Sequence, residues 1–475
     1  MRRGFVDTLA RDYCSWIQTR TICERPMEQL GYDCWGVTMG DTTATVTLIP
    51  LRDTSQAQIV ELRIAREDAH EPSFYTRFEL RDTRRAHKLF LEMSQTLERQ
   101  VRLGPVRVLV YHALGERVEN LLDALTTAAS KLSVPYAFDA FPIGAPHKLS
   151  AEYTAIMLTP GIGEFAQSIH TLHPDSVSLA IPQAAFQNND GKAIVGLLLE
   201  TLHEVDTPSC YSACRQSVRP FPAEGRVLIT NVMYCDSRVR LGYRVYEGDV
   251  VQTRGALTKS RLSMDDLHDF FTMLGLEGIR VNELDAMGFV TPGVVNFASM
   301  NLPSLGVRDY DLAERLNKHY GIPVFMENNC NAAAMGCYML DAEHENLMLY
   351  RHQLGHKNGG QGTIVNGQLV TGRYNLAGEP KFYQRLFKYE GGYAASVWTA
   401  EGLSRITRNV ILASIGTVSP DVAYIAVNAI NDVETIRRDL ERRLPMYCIP
   451  ELVGINDYRD CMYLGAAALC LGRLA

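Results

Sequence analysis

The chain has 475 residues, too many for one ordinary domain, so two or three are expected. Hydrophobic residues make up 46% and charged residues 21%, the balance of a globular protein in water. A net charge of −7 argues against a broad nucleic-acid-binding surface. No apolar run approaches the roughly 20 residues of a membrane span, and the N-terminal Arg2 and Arg3 precede no signal-peptide core. The eleven cysteines are scattered. Cys210 and Cys214 lack a second pair or a nearby histidine, so free thiols in a reducing cytoplasm are expected rather than zinc.

Periodicity predicts the elements in chain order. Residues 5–20 read as an amphipathic helix, and residues 35–80 as strands with alternating polar and apolar positions. Residues 82–102 read as a helix with Asp82 as its N-cap. Then strands and helices alternate: strands at 106–111, 136–143, 153–160 and 176–182, helices at 116–132 and 191–202. That order predicts a small parallel α/β unit. A Ser- and Pro-rich linker covers 207–225. The chain restarts with strand 226–233 and a hairpin over 238–256 that turns at Glu247-Gly248-Asp249. A helix at 263–275 and a strand at 285–293 follow, and the alternation continues to the end. Residues 36–49 and 229–242 echo each other faintly as paired strands. The first therefore reads either as a degenerate actin-like half or as a chance hairpin likeness. The expected domains are 1–104, 105–206 and 226–475, with the linker 207–225.

Residues 323–336 place Glu327-Asn328-Asn329-Cys330-Asn331-Ala332 between a short strand and an Ala-rich helix start. This resembles the ENDxNxAA signature of the ROK family of sugar kinases and sugar-responsive repressors. Other segments resemble the family in the same order. They are the Pro292-Gly293 turn, Asn301-Leu302-Pro303, the hairpin at 364–372, Ala377-Gly378-Glu379 and the closing Leu464-Gly465-Ala466-Ala467. The resemblance implies an actin-like, ribonuclease H-like fold over 226–475. It implies sugar contacts from Asn301, Asn328, Asn329 and Glu379, and nucleotide contacts from Gly355, Gly359, Gly360 and Gly362. The three asparagines read alternatively as side chains that satisfy loop backbone.

The departures from the family form a pattern. The family's catalytic Asp is matched by Asn329, and an amide cannot take a hydroxyl proton at neutral pH. The first phosphate loop, DxGxT, is matched by Met233-Tyr234-Cys235-Asp236-Ser237, without the glycine that lets backbone N–H groups approach phosphate. The second loop, at 355–362, keeps its glycines but carries one extra residue. The adenosine-side glycine pair is matched by 426–429, and the clamp histidine by Phe382. Residues 381–393 contain no cysteine, so the family's zinc motif is missing. Losing the base alone costs roughly 10²–10⁴-fold in rate, and losing the phosphate loops removes the positioning on which phosphoryl transfer depends.

Residues 105–206 resemble the lactose/cellobiose-type IIB component of the phosphotransferase system. The resemblance rests on the strand order, on Tyr153–Pro160 and on Ile181-Pro182-Gln183 with Asn189-Asp190-Gly191. It places His112 where that family carries phosphate on cysteine. Glu116 puts a negative charge in the loop that would receive the dianion, so His112 is expected to be inactive.

Together these readings predict a cytoplasmic, homo-oligomeric, non-catalytic protein that senses a sugar or sugar phosphate. It would report to phosphotransferase proteins or to gene expression, with no cofactor and no zinc. The N-terminal segment offers one helix and then strands, which argues against direct DNA binding. A sugar kinase using ATP and magnesium, and a phosphocarrier acting through His112, are the alternatives. A scaffold role for both folds is the third.

Overall fold

The structure, a computed structural model, describes residues 2–50, 58–66, 72–102, 106–131, 136–143, 153–165, 169, 176–203, 217–235, 238–259, 264–293, 295–296, 299–302, 307–353, 356, 358–373, 376–389, 392–397, 399–427, 433–455 and 458–474. It begins with helix α1 (Arg2–Gln18) and an antiparallel meander of five strands: β1 (Glu28–Gly31), β2 (Cys34–Met39), β3 (Thr42–Pro50), β4 (Gln58–Arg66) and β5 (Phe74–Glu79). Strict alternation puts Ala44, Val46 and Leu48 of β3 on the same face as Val60, Leu62 and Ile64 of β4. Helix α2 (Thr83–Arg102) covers that face with Ala86, Leu89, Phe90, Met93 and Leu97. The spacing of those residues follows the helical turn. Asp82 caps α2 as predicted, accepting from the Arg85 N–H at 2.8 Å.

The middle unit is a wholly parallel sheet in the order β9-β8-β6-β7. Its strands are β6 (Val106–His112), β7 (Tyr136–Pro142), β8 (Ala155–Leu158) and β9 (Val177–Ala180), with α3 (Glu119–Lys131) and α4 (Gly191–His203) alongside. The strand that follows α2 is β6, and it leaves the meander to start a different sheet.

The chain then builds one strand order twice. The first half comprises β10 (Arg226–Cys235), β11 (Arg238–Glu247), β12 (Val250–Lys259), α5 (Met264–Leu276), β13 (Ala286–Thr291), a small three-stranded sheet, α6 (Leu312–Tyr320), β14 (Val324–Asn328) and α7 (Asn329–Leu340). Its strands lie in the order β12-β11-β10-β13-β14: an antiparallel meander followed by two parallel additions. The β11–β12 turn falls at the predicted residues, with Gly248 at φ +58°.

The second half comprises β15 (Leu347–Arg351), β16 (Gly360–Val365), β17 (Gln368–Leu369), α8 (Ala400–Thr417), β18 (Val422–Ala426), α9 (Glu434–Glu441), β19 (Glu451–Gly454) and α10 (Tyr458–Gly472). Its order, β17-β16-β15-β18-β19, has the same pattern. Helices α7 and α10 cross between the halves with backbones touching. A methyl on Gly336 would overlap the Cys461 carbonyl, and one on Gly465 would overlap Ala332. The two helices and both sheets share one core, with Ile229, Val290, Ala333, Leu349 and Ala467 at its centre.

The described end of the linker is fastened down. Arg219 Nε donates to the carbonyls of Tyr338 (3.0 Å) and Asp341 (2.5 Å), and Nη2 donates to His344 O (2.8 Å). A guanidinium thus caps the carbonyl-rich C-terminal end of α7. Among the described residues, no helix is long and apolar enough to cross a membrane.

Candidate functional site

The opposite end of α7 is the candidate site. Asn328 is its N-cap: Oδ1 accepts from the N–H groups of Cys330 (2.8 Å) and Asn331 (3.4 Å). Its Nδ2 donates to Gly293 O at 2.6 Å, which ties the Pro292-Gly293 turn to the helix start. Gly293 sits at φ +91°, a conformation that favours glycine. Glu327 is buried, with Oε1 accepting from Asn328 N (2.9 Å) and Asn331 Nδ2 (3.0 Å). Its Oε2 lies 2.6 Å from Arg473 Nη2. The carboxylate is therefore committed to holding the helix start. Asn329 opens the first turn half-buried, and no described residue hydrogen-bonds its side chain.

The glycine-rich strand β16 packs directly on this turn. A methyl on Gly360 would overlap Cys330 Sγ, and one on Gly362 would overlap the Cys330 carbonyl. These glycines have a packing reason independent of any nucleotide. Burial pushes the Cys330 thiol up to about 11, so it stays protonated. Glu379 lies close enough to act on that thiol, and its carboxylate is 3.1 Å from Lys381 Nζ.

The segment after Glu379 is held by buried hydrogen bonds. Tyr393 Oη donates to Gln384 Oε1 (2.5 Å), and Gln384 Nε2 donates to Tyr350 Oη (3.1 Å). Tyr350 and His352 Nδ1 are 2.7 Å apart, and His352 Nε2 is 2.8 Å from His356 O. A carbonyl can only accept, so Nε2 carries the proton and Nδ1 accepts from the tyrosine. Burial lowers His352 to about 4, which keeps it neutral. A second chain runs from Tyr383 Oη to Gln361 Oε1 (2.8 Å), and from Gln361 Nε2 to Thr363 and Ser414 (both 3.0 Å). Sequence reasoning missed Tyr350, His352, Gln361, Gln384, Tyr393 and Arg473. They come from separate elements and form no local motif.

The remaining predicted positions are spread out. Asn301 lies on the strand Ser299–Leu302, but its side chain falls outside the described residues. Gly355, Asp236 and Ser237 also fall outside them. Gly359 packs against Tyr350 and the Arg351 carbonyl. Phe382 is 62% exposed and makes no clamp. His112 ends β6 in the middle unit, with Nδ1 3.0 Å from Ala113 O. Glu116 Oε2 occupies the following loop, accepting from Ala113 N (3.0 Å) and Thr159 Oγ1 (2.7 Å). Among the described residues, no cluster of three or more His, Cys, Asp or Glu side chains could hold a metal ion.

Two halves of one strand order, with a capped helix start packed against a glycine-rich strand of the second half, define the class of fold. A model of the ROK family matches residues 268–380, so a ROK family domain lies in the C-terminal region. A xylose repressor of Bacillus subtilis (strain 168) is 31% identical over 132 residues, which are 26% of this chain and 31% of that protein. A glucokinase of Streptomyces coelicolor is 34% identical over 110 residues, 22% of this chain and 34% of the relative. The chain thus spans about a third of the length of the curated relatives it matches. Among solved structures, a ROK hexokinase from Thermus thermophilus aligns over 52% of this chain and 99% of its own. That alignment has 17% identity and a TM-score of 0.41. Kinases and repressors both occur among these relatives.

Proposed function

We propose that the protein is a non-catalytic, sugar-recognising regulator built on a ROK family domain. The observation that carries this reading is the chemistry at the start of α7. Asn329 stands where the family's base would stand, and the two nearby carboxylates are engaged. Glu327 pairs with Arg473, and Glu379 pairs with Lys381. Among the described residues, Asn328 keeps one N–H beyond its cap and turn bonds, and Asn329 keeps its whole amide. Such groups suit hydroxyl recognition without proton abstraction.

The wholly parallel order β9-β8-β6-β7 supports reading the middle unit as a IIB-like docking domain for phosphotransferase proteins. Glu116, held in the loop after His112, supports an inactive phosphate position. The reading places the protein in the cytoplasm as a homo-oligomer.

Thermal-shift measurement over a broad panel of monosaccharides and their phosphates tests the proposal. At least one ligand should stabilise the fold by mass action. Glu379→Ala should abolish that shift and leave the ligand-free melting temperature nearly unchanged, because Lys381, its partner at 3.1 Å, is partly exposed and can turn its ammonium to water. No shift from any ligand, or a shift that survives Glu379→Ala, contradicts it.

A further inference from the structure

The first 203 residues engage both halves of the C-terminal domain, each half through a different unit. The N-terminal unit grips the first half. Tyr75 of β5 pairs with Thr258 of β12, making one ten-stranded sheet. Lys259 Nζ lies 2.7 Å from Asp266 and 3.3 Å from Glu92 of α2. Arg85 of α2 pairs with Asp269 of α5, and Arg77 lies 3.7 Å from Glu277. The middle unit grips the second half. Buried residues of the two form one contiguous apolar cluster, with Val108, Leu125 and Leu198 on one side and Tyr350, Leu403 and Leu452 on the other.

Only residues 103–105 separate α2 from β6. Three residues reach at most about 11 Å. The halves themselves meet at the glycine contact of α7 and α10, the natural pivot for any change of angle between the two sheets. Turning one half about that pivot must move the N-terminal unit relative to the middle unit.

We infer that the N-terminal and middle units form a brace across the two halves, which limits how far the halves can turn about the α7–α10 contact. The brace is independent of which ligand the start of α7 takes, and of whether it takes one.

The test uses the full chain with spin labels at Lys318 on the first half and Arg442 on the second, both exposed. The labels are carried on unnatural amino acids so that the native cysteines stay in place. Pulsed electron resonance then reads the distance distribution between the halves. Inserting six Gly-Ser residues within 103–105 raises the root-mean-square reach of the joint about 1.7-fold, because reach grows as the square root of residue number. The distribution should broaden by a comparable factor. The same insertion after Tyr32, an exposed turn within the N-terminal unit, should leave it unchanged. Arg85→Ala weakens the brace at its other fastening and should broaden the distribution in the same direction. A distribution that stays as narrow as the parent's in both the joint insertion and Arg85→Ala overturns the brace.

Discussion

Asn328 and Asn329 are adjacent amides with opposite duties. Asn328 spends its oxygen on two helix N–H groups and one nitrogen proton on Gly293, so Asn328→Ala should lose about 1 kcal/mol of stability, read by chemical denaturation. Asn329→Ala should cost little there, because no described residue hydrogen-bonds its side chain. Equal losses at both positions contradict this division. Gly360 tests the packing reason for the glycine-rich loop. Gly360→Ala should cost about 1–3 kcal/mol by overlap with Cys330 Sγ. Most of that should return in the Cys330→Ala background, and a double-mutant cycle reads the coupling directly. No coupling means that the glycine serves something other than this contact. A pH effect belongs at His344. Burial lowers its pKa, but Asp341, Glu451 and Asp421 outweigh burial and raise it above the ordinary 6.5. Its stabilising contribution is therefore full below 6.5 and is lost as pH rises through the raised value. His344→Gln should flatten the fall in stability across that interval, measured by denaturation at a series of pH values.

At the scale of elements, the joint between β12, α5 and α2 and the segment after Glu379 make separate predictions. Lys259 is buried between Asp266 and Glu92, so Lys259→Ala removes the nearest cation from buried Asp266, leaving Arg85 at 3.7 Å, and should cost about 1.5–3 kcal/mol. A loss under 1 kcal/mol shows that Arg85 carries the joint alone. The 380–393 segment is held by Gln384, Tyr350 and Tyr393. A strong chelator should leave the melting temperature unchanged, whereas Gln384→Leu should lower stability by about 1–3 kcal/mol, because the Tyr393 hydroxyl loses its acceptor. Much of this scale was legible beforehand. The alternation in β3, the Asp82 cap and the turn at Gly248 are local signals. The β5–β12 pairing was not legible, because an antiparallel edge carries no marker of the strand it will meet. Nor was the departure of β6 to a separate sheet. The hydrogen-bond chains were hidden for the same reason, since Tyr350, Gln361, Gln384 and Tyr393 are ordinary residues until the fold brings them together. At the site, the Glu327–Asn331 motif marked the helix start, but it could not show that Arg473, from the far end of the chain, neutralises Glu327.

For the whole molecule, the proposed function sets a sugar site without a base, at the start of α7, in a frame of four packed units. The N-terminal unit shares a sheet with the first half, and the middle unit shares a core with the second. Isothermal titration of a hexose panel into the protein, with ATP and magnesium present, tests the central claim most directly. Binding gives heat that saturates with sugar, whereas phosphorylation gives heat that continues at a steady rate until substrate is gone. The account predicts saturable heat for at least one sugar, removed by Glu379→Ala, and no steady heat. Continuous heat corresponding to turnover near 1 s⁻¹, the low end of ordinary enzymes, would contradict it, as would the lack of saturable heat from every sugar.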